Sequence, residues 1–401
     1  MFNSLKFKVI LFGFIFTFFS SFGQSYFLGL FNSSIREALS ITHGQFGSIY
    51  ASATLCSSLL LIWVGKKIDD VNIFKFAFFV TILLSFACFF FSRVTSVFLL
   101  FIAIFLMRFS GQGMMSHTAS TTISRYFTRT RGRALSISWF GLSSAEFIMP
   151  VLMVYLLTIT HWQNLWLIFS IAVLIVLPIV SFLLIKNLNL DSREANDENK
   201  KEVEIKQWKR REVIKDYRFY IISSNMLAMP WIFTGFAVFQ SFVQTSKGWG
   251  PYVIAQSFMS YSIFSVLTLF LSGFLIDKFT SRKLLIYMNI PLLLSVIVLF
   301  LFDTPITAFL FLGLVGISNG FANILGSSTW AELYGVKYLG SIKALTTALM
   351  VFATAFGTAL FGYLIDIGFT VGDIAIVSGT YIFISLILLF MVRKKLNPVI
   401  I

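Results

Sequence analysis

Only 12% of the 401 residues are charged. That is too little polar surface to cover the core of a water-soluble chain of this length. Cysteine occurs twice, at Cys56 and Cys88, inside neighbouring apolar runs. Two small apolar residues are expected there, in place of a disulfide or a metal site. His43, His117 and His161 are scattered without metal-ligand spacing. No Gly-x-x-x-x-Gly-Lys-Ser/Thr loop occurs, so no ATP-binding loop of that kind is encoded. No set of nucleophile, base and acid stands out, and no metal, cofactor or enzymatic activity is expected.

What is present is apolar. Hydrophobic residues make up 57% of the chain, and Phe alone contributes 49. A bilayer crossing needs ~20 predominantly apolar residues. Runs of that length are predicted at 9–32, 46–64, 74–92, 97–124, 134–157, 164–186, 218–244, 253–276, 284–302, 306–331, 343–366 and 372–392. The run from Val9 to Phe31 is longer than a signal-peptide core, and no small-x-small cleavage site follows it. It is read as the first of twelve spans, retained in the mature protein.

The net charge of +14 is topological. If the N-terminus is cytoplasmic, 27 of the 31 Lys and Arg fall on the inner side, and Arg36, Arg93 and Lys247 fall outside. Positive charge accumulates in cytoplasmic loops. Both termini are therefore expected inside, and no nucleic-acid partner is expected. The one long polar stretch, 187–217, is read as a cytoplasmic linker between a six-helix bundle at 1–186 and another at 218–392. A cytoplasmic tail follows at 393–401. A monomer in the plasma membrane, a bacterial inner membrane by expectation, fits this reading.

The halves repeat. Gly65 and Asp69 after the second span match Gly273 and Asp277 after the eighth, at an offset of 208. Gly113 matches Gly320 at 207, and Gly132 matches Gly340 at 208. Such repeats mark transporter folds, with a solute site between two bundles.

The segment Gly273-Phe-Leu-Ile-Asp277-Lys278-Phe-Thr-Ser-Arg282-Lys283 resembles the signature loop of the major facilitator superfamily. Thr280 stands where that loop usually has Gly. In the first copy, Asp70 replaces a basic residue and Asn72 the Gly. The resemblance implies twelve helices in two pseudo-symmetric bundles and a secondary carrier working by alternating access. Gating roles are expected for Gly65, Asp69, Gly273, Asp277, Lys278, Arg282 and Lys283, and for Arg131 and Arg133 in the loop after the fourth span. Topology signal plus helix capping is the plainer reading of the same residues. The loop Arg125-Tyr-Phe-Thr-Arg-Thr-Arg131-Gly132-Arg133-Ala134 resembles that of monocarboxylate and oxalate/formate-type carriers. A small organic anion is therefore the expected solute, moved with protons or by exchange. An exporter of drugs or metabolites, or a sensor that has kept the fold, are the alternatives.

An ionisable residue within a span is costly and is a functional candidate. Arg108 and Glu146 lie near mid-span. At 1.5 Å per residue each is ~16 Å from the outer end of its helix, near the middle of a ~30 Å core. They are expected to form an ion pair that either binds solute and proton or only locks two helices. The second tier is Gln24, Gln112, Asn225, Gln240, Asn319 and Asn323, with helix–helix hydrogen bonding as the alternative to solute contact. Trp231 beside Pro230 predicts a break in the seventh span. His117 lies half a turn round its helix from Arg108, counted at 100° per residue, and is read as a packed structural histidine. Glu332 and Asp366 are read as helix-end residues.

The charge split makes a topological prediction. A Ser192→Cys variant in intact cells should resist a membrane-impermeant maleimide until the membrane is opened. Labelling from outside would invert the orientation.

Overall fold

The structure is a computed structural model. It describes residues 4–127, 130–186 and 206–398, without the side chains of Asp69, Arg131, Asp277 and Ser327. The elements among the described residues are all helical, and twelve helices are long and apolar enough to cross a membrane. They are α1 (Leu5–Gly29), α2 (His43–Ile68), α3 (Ile73–Ser92), α4 (Val97–Tyr126), α5 (Gly132–Ile159) and α6 (Trp162–Ile185). Then come α7 (Tyr217–Val238), α8 (Val253–Ile276), α9 (Ser281–Leu301), α10 (Pro305–Tyr334), α11 (Leu339–Asp366) and α12 (Val371–Lys395). Large apolar side chains such as Trp63, Phe98, Phe274 and Met391 are exposed along them. In water that surface would drive aggregation; in lipid it is the solvated face. The chain is an all-α multi-pass membrane protein.

It divides into two compact units, Met1–Asn199 and Lys200–Ile401. In the first, α1 packs on α5, α2 on α4 and α3 on α6. In the second, α7 packs on α11, α8 on α10 and α9 on α12. The sequence repeat is thus a repeat of helix pairings. Close approach at equivalent crossings needs glycine. A side chain on Gly141 of α5 would strike the carbonyl of Phe14, and one on Gly357 of α11 the carbonyl of Trp231. Without a hydrophobic drive between helices in lipid, such contact and interhelical hydrogen bonds hold the bundle. Ser85 of α3 and Ser170 of α6 supply one reciprocal pair, each hydroxyl donating to the other's carbonyl at 2.9 and 2.8 Å.

Two segments that composition assigns to loops are built into the second unit. Residues 187–205 of the expected linker lie outside the described residues, but 206–216 are folded. The Trp208 amide donates to the Tyr334 carbonyl at 2.9 Å, and Val213 is buried. The buried Asp216 carboxylate accepts from Arg218 at 2.8 Å and from the Tyr334 hydroxyl at 3.2 Å. At the tail, Leu396 is buried in the same apolar cluster as Val213. Arg218 Nη1 donates to the Asn397 carbonyl at 2.8 Å, and Arg282 Nη1 donates to the Leu396 carbonyl at 3.1 Å. Trp208, Val213 and Leu396 contribute the apolar surface that holds these segments on the bundle.

The loop between α8 and α9 turns at Thr280, with φ 69° and ψ 148°. An L residue with a branched side chain is strained there, and Gly is not. The residue that replaces the usual Gly therefore sits at the one point of the turn where Gly has a physical reason to be. Thr280→Gly should relieve about 1 kcal/mol of strain. The expected result is a higher midpoint of thermal unfolding for the purified protein; an unchanged or lower midpoint would remove strain as the explanation.

Candidate functional site

Arg108 and Glu146 are buried within spans of the first unit, and Arg108 sits at a break in α1. The sequence Thr17-Phe-Phe-Ser20-Ser21-Phe-Gly23-Gln24 loosens the helix locally. Thr17 and Ser20 hydroxyls bond back to the carbonyls of Phe14 and Thr17 at 3.0 and 2.6 Å. Such back-bonding bends helices. The α-helix stops at Ser20, a 3₁₀ turn covers Ser21–Gly23, and Gln24 is extended with ψ 151°. A short helix, Ser25–Gly29, completes the span. The expected uninterrupted first helix is corrected accordingly.

The break frees the Gly23 carbonyl, and Arg108 of α4 takes it. Arg108 Nη1 donates to that carbonyl at 3.0 Å and to Ser25 Oγ at 3.2 Å. Its guanidinium lies over the Tyr50 ring of α2, 5.4 Å from the centroid, and the Tyr50 hydroxyl donates to Ser25 Oγ at 2.9 Å. A hydrogen bond to a charged group contributes about 1.5–3 kcal/mol, and a desolvated cation–π contact about 2 kcal/mol. Together these are enough to offset the ~2.5–3.5 kcal/mol cost of an Arg at the centre of a span. Arg108 is held, yet its buried Nε has no hydrogen-bond partner among the described residues.

Arg108 also starts an eight-residue π-helical stretch, Arg108–Met115, between the α-helical parts Val97–Met107 and Ser116–Tyr126. The stretch reads Arg-Phe-Ser-Gly-Gln-Gly-Met-Met. The break in α1 lies directly on it: a side chain on Gly23 would meet the Gln112 amide and the Met107 carbonyl. One on Gly111 would meet Gly23 Cα at 2.9 Å. Gln24 and Gln112 are half-buried at this crossing. π-helical turns are rare and recur at functional sites. The reckoning that placed His117 half a turn from Arg108 assumed an unbroken α-helix and does not survive this stretch.

Glu146 of α5 is buried, 8% exposed. It makes no hydrogen bond or ion pair among the described residues, and neither does Arg108 meet a carboxylate. The expected Arg108–Glu146 ion pair is therefore corrected. Equal depth in neighbouring helices does not set direction: the guanidinium turns to the α1 break. Glu146 instead lies within electrostatic reach of Tyr26. Ser25, which accepts from Arg108, and Tyr26, within electrostatic reach of Glu146, are consecutive residues of one short helix. Ser25, Tyr26 and Tyr50 carry no charge and lie in apolar sequence, so sequence reading passed over them. Ser-Ser-x-Gly inside a span was the available signal.

In the second unit Asn225, Asn319 and Gln240 are hydrogen-bonded to neighbours, and Asn323 is exposed. Asn225 Nδ2 donates to Ser385 Oγ at 3.2 Å, and Asn319 Nδ2 to Ser265 Oγ at 2.9 Å. Gln240 Nε2 donates to the Ala237 carbonyl at 2.9 Å, beside an apolar pocket lined by Phe236, Trp249 and Phe311. Trp231 is packed edge-on against Phe356, Phe361 and Tyr381. The expected break there is corrected: the helix runs through Pro230 to Val238 and is interrupted at Phe239. A single proline removes one hydrogen bond, which neighbouring helices make good.

Of the loop residues, Gly65 begins a 3₁₀ turn, Gly65–Asp69, and its carbonyl lies 3.0 Å from His117 Nε2. The helix containing Gly273 and Asp277 runs on to Phe279. Arg282 Nε lies 3.9 Å from Glu332, whose carboxylate accepts from the Ser281 amide at 2.8 Å and caps α9. Arg133, Lys278 and Lys283 are exposed, with Lys278 beside the Phe279 ring. The side chains of Asp69, Arg131 and Asp277 lie outside the described residues, as does Arg129.

The sequence profile of the Major Facilitator Superfamily matches residues 13–260. No curated protein matches the sequence. Among solved structures, the chain is similar to an inward-facing, unoccupied bacterial homologue of the human lysosomal transporter Spinster. That match has a TM-score of 0.73 and 14% identity over 99% of this chain and 98% of the other. It is also similar to the nucleoside transporter NupG, with a TM-score of 0.70 and 16% identity over 98% of each chain. At such identities the likeness shows the fold.

The crossing of α1 and α4 yields a prediction. Gly23→Ala places a methyl against backbone atoms that cannot rotate away, and overpacking costs about 1–3 kcal/mol. Yield of monodisperse protein and its unfolding midpoint should both fall. Gly132→Ala, with nothing within 4 Å, should keep both. Equal behaviour of the two variants would argue against the close crossing.

Proposed function

The chain belongs to the Major Facilitator Superfamily of transporters, and from that premise we propose that it is a secondary carrier of a small organic anion, working by alternating access and coupled to protons. It is a transporter and not an enzyme, embedded in a membrane and acting on a small-molecule solute. The observation that carries the anion reading is Arg108. A guanidinium held at one corner by Gly23 and Ser25, with one face on Tyr50 and no carboxylate beside it among the described residues, is a positive charge set within the span. Nη1 is engaged by the protein, which leaves the Nε side of the fork for a planar anion. Guanidinium forks match carboxylates in bidentate geometry.

Glu146 supports the proton coupling. A carboxyl buried in a span without a basic partner is stable when protonated and costly when charged. Solute binding at Arg108 would be felt through the helix Ser25–Gly29, whose Tyr26 lies within electrostatic reach of Glu146. In this reading the solute's negative charge and the proton cross together. The signature loops at Gly65–Asp69 and Gly273–Lys283 would set the balance between inward and outward states, with the charge split placing both loops, the termini and the linker in the cytoplasm of a plasma membrane. The protein would work as a monomer.

Reconstitution in proteoliposomes tests the two charges separately, with small monocarboxylates and dicarboxylates as solutes. Glu146→Gln should lose accumulation driven by an imposed proton gradient and keep solute exchange. Arg108→Gln should lose both, because unpairing a bound anion costs roughly 2–5 kcal/mol, or about 30-fold or more in affinity. Normal accumulation by Glu146→Gln would remove it as the proton site. Normal uptake by Arg108→Gln would remove the anion reading.

A further inference from the structure

His117 and Arg125 lie on the last part of α4, downstream of the π-helical stretch. His117 Nε2 is 3.0 Å from the Gly65 carbonyl, and Arg125 Nη1 donates to the Ile68 carbonyl at 3.0 Å. Both carbonyls belong to the 3₁₀ turn Gly65–Asp69 that ends α2. The last carbonyls of a helix have no partner within it, and basic side chains there satisfy them and oppose the helix dipole. One helix thus carries the membrane-buried Arg108 at one end of its π stretch and the two residues that hold the loop after α2 at the other.

A π-helix bonds i to i+5 and an α-helix i to i+4. A change from one to the other turns everything downstream about the helix axis relative to everything upstream. Arg108–Met115 is such an element: its Gly and Ser residues leave it soft, and the same place in the repeat, α10, is a continuous α-helix. Its present register is secured upstream by Arg108 on Gly23 and Ser25 and by Gly111 against Gly23. It is secured downstream by His117 and Arg125 on the α2 turn. The two ends are joined through this one stretch, so a change of its register at one end turns the other.

We propose that His117 and Arg125 are positioning residues that carry the state of Arg108 to the loop after α2, with the π-helical stretch of α4 as the element that changes register. When an anion taken on the Nε side pulls the guanidinium toward itself and lengthens the Nη1 bonds to Gly23 and Ser25, the stretch tightens, the downstream helix turns, and both donors leave the carbonyls of Gly65 and Ile68. The inference rests on the proposed role of Arg108 for its trigger, but the coupling exists without any solute.

The experiment therefore uses none. Cys56 and Cys88 are replaced by Ala, Lys67→Cys is introduced in the exposed turn, and its labelling rate by a maleimide is followed in purified full-length protein. His117→Ala should raise that rate several-fold. Arg108→Gln should raise it by a similar factor from the far side of the π stretch, and Ser25→Ala, which keeps the charge, by a smaller one. Gly113→Ala, whose methyl would meet only the flexible Leu61 side chain and the Arg108 carbonyl at 3.2–3.4 Å, favours the α register and should raise the rate about five-fold. A Lys394→Cys reporter in the second unit should keep its rate throughout. Wild-type rates in folded Ser25→Ala and Gly113→Ala would overturn the coupling, whatever Arg108→Gln does. Raised rates together with normal anion uptake by Arg108→Gln would leave the coupling standing and remove only the anion reading.

Discussion

The bond from Arg108 Nη1 to the Gly23 carbonyl ties two irregularities together that neither helix could sustain alone. A broken helix in lipid exposes a carbonyl that water cannot reach, at a cost of several kcal/mol. A guanidinium in the same place carries a charge that lipid cannot solvate. Each supplies what the other lacks. The π-helical stretch of α4 lies at the same meeting, where Gly111 sits so close to Gly23 that a side chain would strike it. Ser25 and Tyr50 complete the arrangement from α1 and α2.

The internal repeat makes this irregularity legible as function. The three helix pairings of the first unit recur in the second. The pairs α1/α5 and α7/α11 even share the same glycine-on-carbonyl contact. Where the packing is common, it is structural. Arg108, Glu146, the α1 break and the π stretch belong to the first unit, while the buried Arg218 of the second lies at the start of α7. Val315, in the place corresponding to Arg108, is a buried apolar residue. Proteins depart from local regularity where function requires it. The interruptions of the second unit, at Phe239 and at Asn289 within α9, carry no buried mid-span charge among the described residues.

The second unit has its own polar assembly, at the loop end of α7, α9 and α10. Asp216, Arg218, Tyr334, Arg282 and Glu332 bond to one another or to the returning tail. These charges lie at helix ends, where partners are many. They cap and clamp. They explain why 206–216 and 393–398, polar by composition, are folded. A basic residue in such a cluster is read by topology counting as a positive-inside charge, and it serves as a structural donor as well.

Much of this protein follows from its sequence alone. Twelve spans are set by the length of apolar runs against the thickness of a bilayer, a constraint that acts on each segment separately. The two-fold repeat, the family and the candidacy of Arg108 and Glu146 follow from residue types and spacing. Helix breaks were legible only in part: Pro230 suggested one that packing removes, while Ser20 to Gln24 held one that passed unnoticed among phenylalanines. What the sequence could not decide is direction. Two residues at equal depth can face each other or opposite neighbours, and a helix wheel counts angles correctly only while the helix stays α. Tertiary contact between α1 and α4 turned Arg108 to a backbone carbonyl and not to Glu146, and put His117 against Gly65. Such contacts join residues 52 and 85 positions apart, and no local pattern carries that information.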